Sequence, residues 1–111
     1  MEKSRETSCT PCRSARAGLE PGEIQMLLSN LGAGWTLNGA GHLYKAYAFK
    51  NFMGAMGFAH QIAHLAEQEG HHPDLTISWG QCGVEIWTHK IQGLTENDFR
   101  LAAKIEGLHK P

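Results

Sequence analysis

Cysteine is scarce in this chain of 111 residues, and the count of three, being odd, excludes a fully paired disulfide framework as its organising element. Cys9 and Cys12 form a C-x-x-C pair near the N-terminus, but no second C-x-x-C supplies the remaining ligands of a structural zinc site. Cys82 stands alone. An excess of charge of one sign is lacking too: ten Lys and Arg against eleven Asp and Glu leave a formal net charge of −1, which gives no basic footprint for nucleic acid. No uninterrupted apolar run approaches the roughly 18 to 20 residues that cross a bilayer. The first residues also lack the apolar core of a secretory signal, so a cytoplasmic protein with no membrane or nucleic-acid partner is expected.

What remains is an ordinary globular composition, 41% hydrophobic and 19% charged, of a length that suits one domain. Residues 1–18 differ from the rest. They carry Lys3, Arg5, Arg13 and Arg16 among Ser and Thr with almost no large apolar side chain, so a mobile tail is expected there. Residues 19–111 form the expected single domain.

Within that domain, Ile24, Leu27, Leu28 and Leu31 repeat with the spacing of an amphipathic helix, with Pro21 in its first turn and Gly32 beyond its end. Trp35 to Leu37 and His42 to Phe49 read as two strands around a turn at Asn38-Gly39. Asn51 is placed to cap a longer helix from Phe52 to about Glu69, with Phe58, Ala59, Ile62, Ala63 and Ala66 on its buried side and Gly70 ending it. Leu75, Ile77 and Trp79 alternate as a third strand, and Cys82, Val84, Ile86 and Thr88 as a fourth. Thr95 and Asp98 resemble a capping box opening a last helix, whose stripe is Phe99, Ala102, Ala103 and Ile105. The order α-β-β-α-β-β-α gives an α+β fold, a four-stranded antiparallel sheet with three helices on one face.

The chemistry-bearing residues cluster late in the chain. His71, His72 and His89 bring three imidazoles, whose unperturbed pKa of about 6.5 suits proton exchange near neutrality. His71 and His72 lie at a helix-to-strand junction, and Pro73 biases His72 toward extended backbone. His89 shares the parity of Glu85 and Trp87, away from the core. Asp98 has a structural explanation as a helix-capping carboxylate, but it can also orient an imidazole, and Glu67, one turn before His71, can do the same. His60 and His64 are four apart, but Gln61 stands where an H-E-x-x-H metal motif needs Glu, so a polar helix face accounts for them. His42 and His109 carry no signal. Adjacent surface histidines also occur without function, so a simple helix-ending His-His-Pro junction stays open.

With Glu67-x-x-x-His71-His72-Pro73, an aromatic at Trp79, Thr88-His89, Gly93-Leu94-Thr95 and Asp98, the chain resembles the pterin-4a-carbinolamine dehydratases from about Leu19 to Leu108. The resemblance implies dehydration of 4a-hydroxytetrahydropterin to quinonoid dihydropterin, recycling the pterin of an aromatic amino acid hydroxylase such as phenylalanine hydroxylase. It implies His71, His72 and His89 as catalytic residues, supported by Asp98 and Glu67. Pro73, Trp79 and Thr88 would bind the substrate. It also implies no metal and no organic cofactor, and a homodimer or homotetramer. Gly70 and Trp79 depart from the family pattern, where an acidic or amide residue and a tyrosine are frequent. Two other readings stand beside this one. The first is a dimerisation or coactivator-type interaction module, as in some animal members of the family. The second is a zinc or redox site joining Cys9 and Cys12 to a histidine pair.

Overall fold

The computed structural model describes residues 18–32, 34–91 and 93–109, so the expected tail, with Cys9 and Cys12, lies outside the described residues. Its elements are α1 (Pro21–Leu31), β1 (Thr36–Leu37), β2 (Leu43–Ala48), α2 (Phe52–Glu69), β3 (Asp74–Ser78), β4 (Gln81–Ile86) and α3 (Glu96–Leu108). All strand pairings are antiparallel, in the order β1-β2-β4-β3.

Register explains the core. Leu43 pairs with Ile86, Lys45 with Val84 and Tyr47 with Cys82, while Leu75 and Ile77 of β3 stand opposite Val84 and Cys82. Side chains in such rows share one face of the pleat. Leu43, Tyr47, Cys82, Val84 and Ile86 are buried there beneath Ala55, Phe58, Ala59, Ile62 and Ala66 of α2 and Phe99, Leu101, Ala102 and Ile105 of α3. Helix α1 packs against α3, so Ile24, Leu27, Leu28 and Leu31 are half-buried and none of its residues is fully covered. Ala63 and Ala103, expected inside, are exposed, whereas Leu101 is buried. Alanine is a weak marker of the buried stripe, because it costs little on either side of a helix.

The opposite face carries the even-numbered residues of β2 and β3 and the odd-numbered residues of β4. Tyr44 lies across β4 there: a Cβ on Gly83 would come within 2.8 Å of its hydroxyl oxygen. The β3–β4 turn is the dipeptide Trp79-Gly80, since Ser78 pairs with Gln81, and Gly80 takes φ +76°. Trp79, expected as the last residue of a strand, is instead in that turn and 73% exposed. Cys82 is buried, and desolvation raises its thiol pKa, which leaves it un-ionised and unreactive at neutral pH.

A polar knot ties α3 to β2. Glu106 Oε1 accepts from Lys45 Nζ at 2.8 Å, Tyr47 Oη at 2.6 Å and Trp35 Nε1 at 3.1 Å. Burial works to raise the Glu106 pKa, but these three donors outweigh it and hold the carboxyl below its usual value. Burial, then Glu106, pushes the Tyr47 phenol far above its ordinary value, so it stays a neutral donor. Glu106→Ala leaves the buried Tyr47 hydroxyl and Trp35 indole N–H without this acceptor, which costs about 2 to 4 kcal/mol of stability by urea unfolding. A loss below about 0.5 kcal/mol would mean that the knot contributes nothing net.

Candidate active site

The chain turns sharply where α2 ends. Gly70 adopts the left-handed conformation at φ +66° and its N–H returns to the Ala66 carbonyl, as does that of His71 at 3.2 Å. This cap ends the helix and fixes the direction in which His71 leaves it. Gly70→Ala forces a side chain into a φ that L-residues rarely adopt, so a loss of about 1 kcal/mol is expected in thermal unfolding.

His71 meets the first turn of α3. Its Nε2 lies 2.8 Å from Asp98 Oδ1, with the imidazole 20% exposed and the carboxylate fully buried. Asp98 Oδ2 accepts from Thr88 Oγ1 at 2.8 Å, from the Thr95 main-chain N–H at 2.8 Å and, longer, from Thr95 Oγ1 at 3.4 Å. Thr95 and Asp98 complete a reciprocal capping box, so the sequence signal for the start of α3 also builds the site. Oδ1 has no hydrogen-bond partner among the described residues except the imidazole facing it. A buried carboxylate with one lone-pair edge reserved for His71 is a strong electrostatic clamp. It raises the His71 pKa above the ordinary value; burial opposes this, and a backbone hydrogen bond with Trp87 assists it.

Glu67 does not orient His71. Its Oε2 accepts from His72 Nε2 at 2.7 Å, in a pair exposed on both sides. Five residues apart across a helix end, the two meet because the chain reverses at Gly70, a geometry that helical spacing alone does not anticipate. Pro73 follows, half-buried, and immediately precedes the edge strand β3.

His89 is exposed at the start of the turn after β4, where Thr88 and Gly93 are bridged. Its ring lies 4.3 Å from that of Trp87 and is tilted by 33°. Trp87 also stacks on His42, at 4.1 Å and 4°. His42 in turn donates from Nδ1 to Glu85 Oε2 at 2.7 Å, and Asn38 Nδ2 donates to the same oxygen at 2.7 Å. Those two donors, His42 first, lower the Glu85 pKa. Nothing near His42 along the chain singles it out, because its partner lies 43 residues away on another strand. Alternation along β2 and β4, which sets His42 on the same face as Glu85 and Trp87, was the available clue.

His71, Asp98, Thr88, Trp87 and His89 thus gather where β4 ends beside the α2–β3 junction, with His72 and Glu67 on its outer side. Trp79 is not among them. It stands at the far end of β3, about 16 Å from Asp74 at ~3.3 Å per residue. Thr88 is engaged with Asp98 as a second support for the clamp. His60 and His64 are exposed on α2, their Nε2 atoms 3.2 Å apart. Among the described residues no group of three or more His, Cys, Asp or Glu is arranged to hold a metal, and no helix is long and apolar enough to cross a membrane.

The fold is an α+β sandwich of one sheet and one helical layer, with a clamped imidazole at the strand ends. Residues 17–108 match the family model of pterin 4 alpha carbinolamine dehydratases, and the chain belongs to that family. It is 60% identical over 101 residues to a Rickettsia canadensis protein named "Putative pterin-4-alpha-carbinolamine dehydratase", covering 91% of this chain and 93% of that one. A protein of the same name from Vibrio cholerae is 47% identical over 106 residues, covering 93% and 96%. Among solved structures, a transcriptional coactivator/pterin dehydratase from Brucella melitensis superposes with a TM-score of 0.77 at 30% identity, over 85% of this chain and all of that one. A pterin dehydratase-like protein identified as a RuBisCO assembly factor in the alpha-carboxysome superposes at 0.59 with 21% identity, over 70% and 92%, and shares the fold.

Proposed function

We propose that the protein dehydrates 4a-hydroxytetrahydropterin to the quinonoid dihydropterin by histidine acid–base catalysis, without a metal or organic cofactor. Family membership supports the dehydratase class, and the observation that carries the histidine reading is His71 held on buried Asp98. Loss of the C4a hydroxyl needs a proton delivered to the departing oxygen, while N5 releases its own proton as its lone pair forms the new C=N bond. Asp98 raises the His71 pKa above its ordinary value, which favours the protonated form, so His71 suits the acid. Its hydrogen bonds to Asp98 and to the Trp87 main chain hold the ring in one orientation. His89, exposed at the same strand end, is the base, and His72, fixed by Glu67, binds and orients the pterin with Pro73. Thr88 acts through Asp98.

In the cell this reaction would return the pterin spent by an aromatic amino acid hydroxylase such as phenylalanine hydroxylase, in the cytoplasm. The working form is a homodimer or homotetramer, and Trp79 joins the site only in an assembly where a second copy brings it up. Stopped-flow measurement of freshly generated 4a-hydroxytetrahydropterin, with a chelator present, tests the reading. Appearance of quinonoid product faster than the spontaneous rate is expected, and a rate equal to the spontaneous one contradicts it.

A second reading, an interaction module, has its own observation. Phe52, Met53 and Met56 open α2 with 45%, 74% and 40% of their surfaces exposed, as a partner-binding face would be. Co-purification of a partner that survives histidine substitution is its test.

A further inference from the structure

Trp87 joins two histidines of different standing. On one side is His89, which the dehydratase reading needs; on the other is His42, which neither the family signature nor the proposed chemistry uses. His42 is firmly anchored. Its side chain is 13% exposed, and its Nδ1–H is held by Glu85 Oε2 at 2.7 Å. Its own main-chain N–H donates to Asn38 Oδ1 at 3.0 Å, and the Asn38 amide donates to the same Glu85 oxygen at 2.7 Å. That closes a ring of Asn38, His42 and Glu85, which ties the β1–β2 loop to β4. The imidazole is then laid parallel to the Trp87 indole at 4.1 Å. Such a stack contributes beyond its buried area and fixes the plane of the indole.

The indole is the next link. Its ring lies 4.3 Å from that of His89, two residues along, at the beginning of a turn where backbone restraint is weaker than in a strand. A catalytic side chain displaced by about 1 Å can lose up to two orders of magnitude in rate. We propose that His42 is a positioning residue for His89, transmitting the anchor made by Glu85 and Asn38 through the plane of Trp87. This rests on the reading of His89 as a proton-exchanging residue, and it adds a residue outside the signature to the site. His42 touches neither substrate nor reacting atoms. Its flat ring is what matters for the stack, and its Nδ1–H is what matters for the anchor.

The experiment has a kinetic and a spectroscopic arm on the full chain. In stopped-flow dehydration, His42→Ala is expected to lower kcat about tenfold while KM changes less than about threefold, since ground-state binding does not run through it. His42→Phe, which keeps a flat ring over Trp87 but loses the Nδ1–H anchor, recovers part of that loss, and Glu85→Gln, which keeps the stack and an oxygen acceptor, loses less than His42→Ala. The double variant His42→Ala/His89→Ala is as slow as His89→Ala alone, because the positioned group is gone. By NMR, the His89 ring protons carry an aromatic ring-current shift that collapses in His42→Ala and persists in His42→Phe. Multiplicative losses in the double variant, or a His89 shift untouched by His42→Ala, overturn the proposal. If wild type fails to accelerate dehydration at all, the dehydratase reading falls by itself, and the NMR arm still decides whether His42 positions His89.

Discussion

Asp98→Ala is expected to lose about 2 to 4 kcal/mol of stability in urea unfolding, far more than an exposed helix cap loses. The substitution removes the Asp98 half of the capping box of α3 and strands the Thr88 hydroxyl and the Thr95 N–H that now end on Oδ2. Against a total of about 5 to 15 kcal/mol for a domain, that fraction is large. Asp98→Asn separates the two roles of the carboxylate. It keeps an oxygen for Thr88 and Thr95, so the variant folds, but it takes away the anion facing His71.

The same clamp makes a stability prediction with a definite sign. His71 has a pKa raised above 6.5 in the folded protein, so the pair's contribution is fully present below about pH 6.5 and is lost as pH rises through the folded value. Glu85 and Glu106 behave oppositely. Their pKa values are lowered from 4.5, so their contributions are present above that pH and fade as pH falls through the folded values. Stability is therefore greatest between these limits. Its alkaline slope flattens in Asp98→Asn, and an unchanged slope would show that the clamp does not set it.

The second large effect concerns rate. His71→Ala and His89→Ala are each expected to reduce dehydratase turnover by roughly 10²- to 10⁴-fold, the usual worth of a positioned acid or base. His72→Ala is expected to raise KM more than it lowers kcat, because its role is to hold the pterin. Stopped-flow kinetics with circular dichroism on each variant separates these outcomes from misfolding. Full turnover in His89→Ala would remove the base from the proposed mechanism.

Much of this architecture was legible in the residues. The bounds of α2 follow from Asn51, whose side chain accepts from the Gly54 N–H at 2.8 Å, and from Gly70 in its left-handed cap, since capping chemistry is local. The inward row Cys82, Val84 and Ile86 follows from alternation. His89 is exposed in the turn beyond β4, where alternation no longer applies. What was hidden is non-local. The Glu106 knot joins residues 59 to 71 positions apart, and His42 finds Glu85 across 43. No pattern within a window reveals such partners, which only strand register brings together. Glu67 misled for a related reason. Helical periodicity pointed it at His71, but the left-handed turn at Gly70 delivers His72 instead. Trp79 misled because alternation ran one residue past the strand, into a turn that Gly80 makes possible.

The pH–rate profile of dehydration, compared between wild type and Asp98→Asn, tests the central claim most directly. If His71 on Asp98 is the acid, the wild-type rate falls as pH rises through a value above 6.5, and Asp98→Asn moves that fall to lower pH. A limb in the same place in both proteins would show that His71 is not the group delivering the proton.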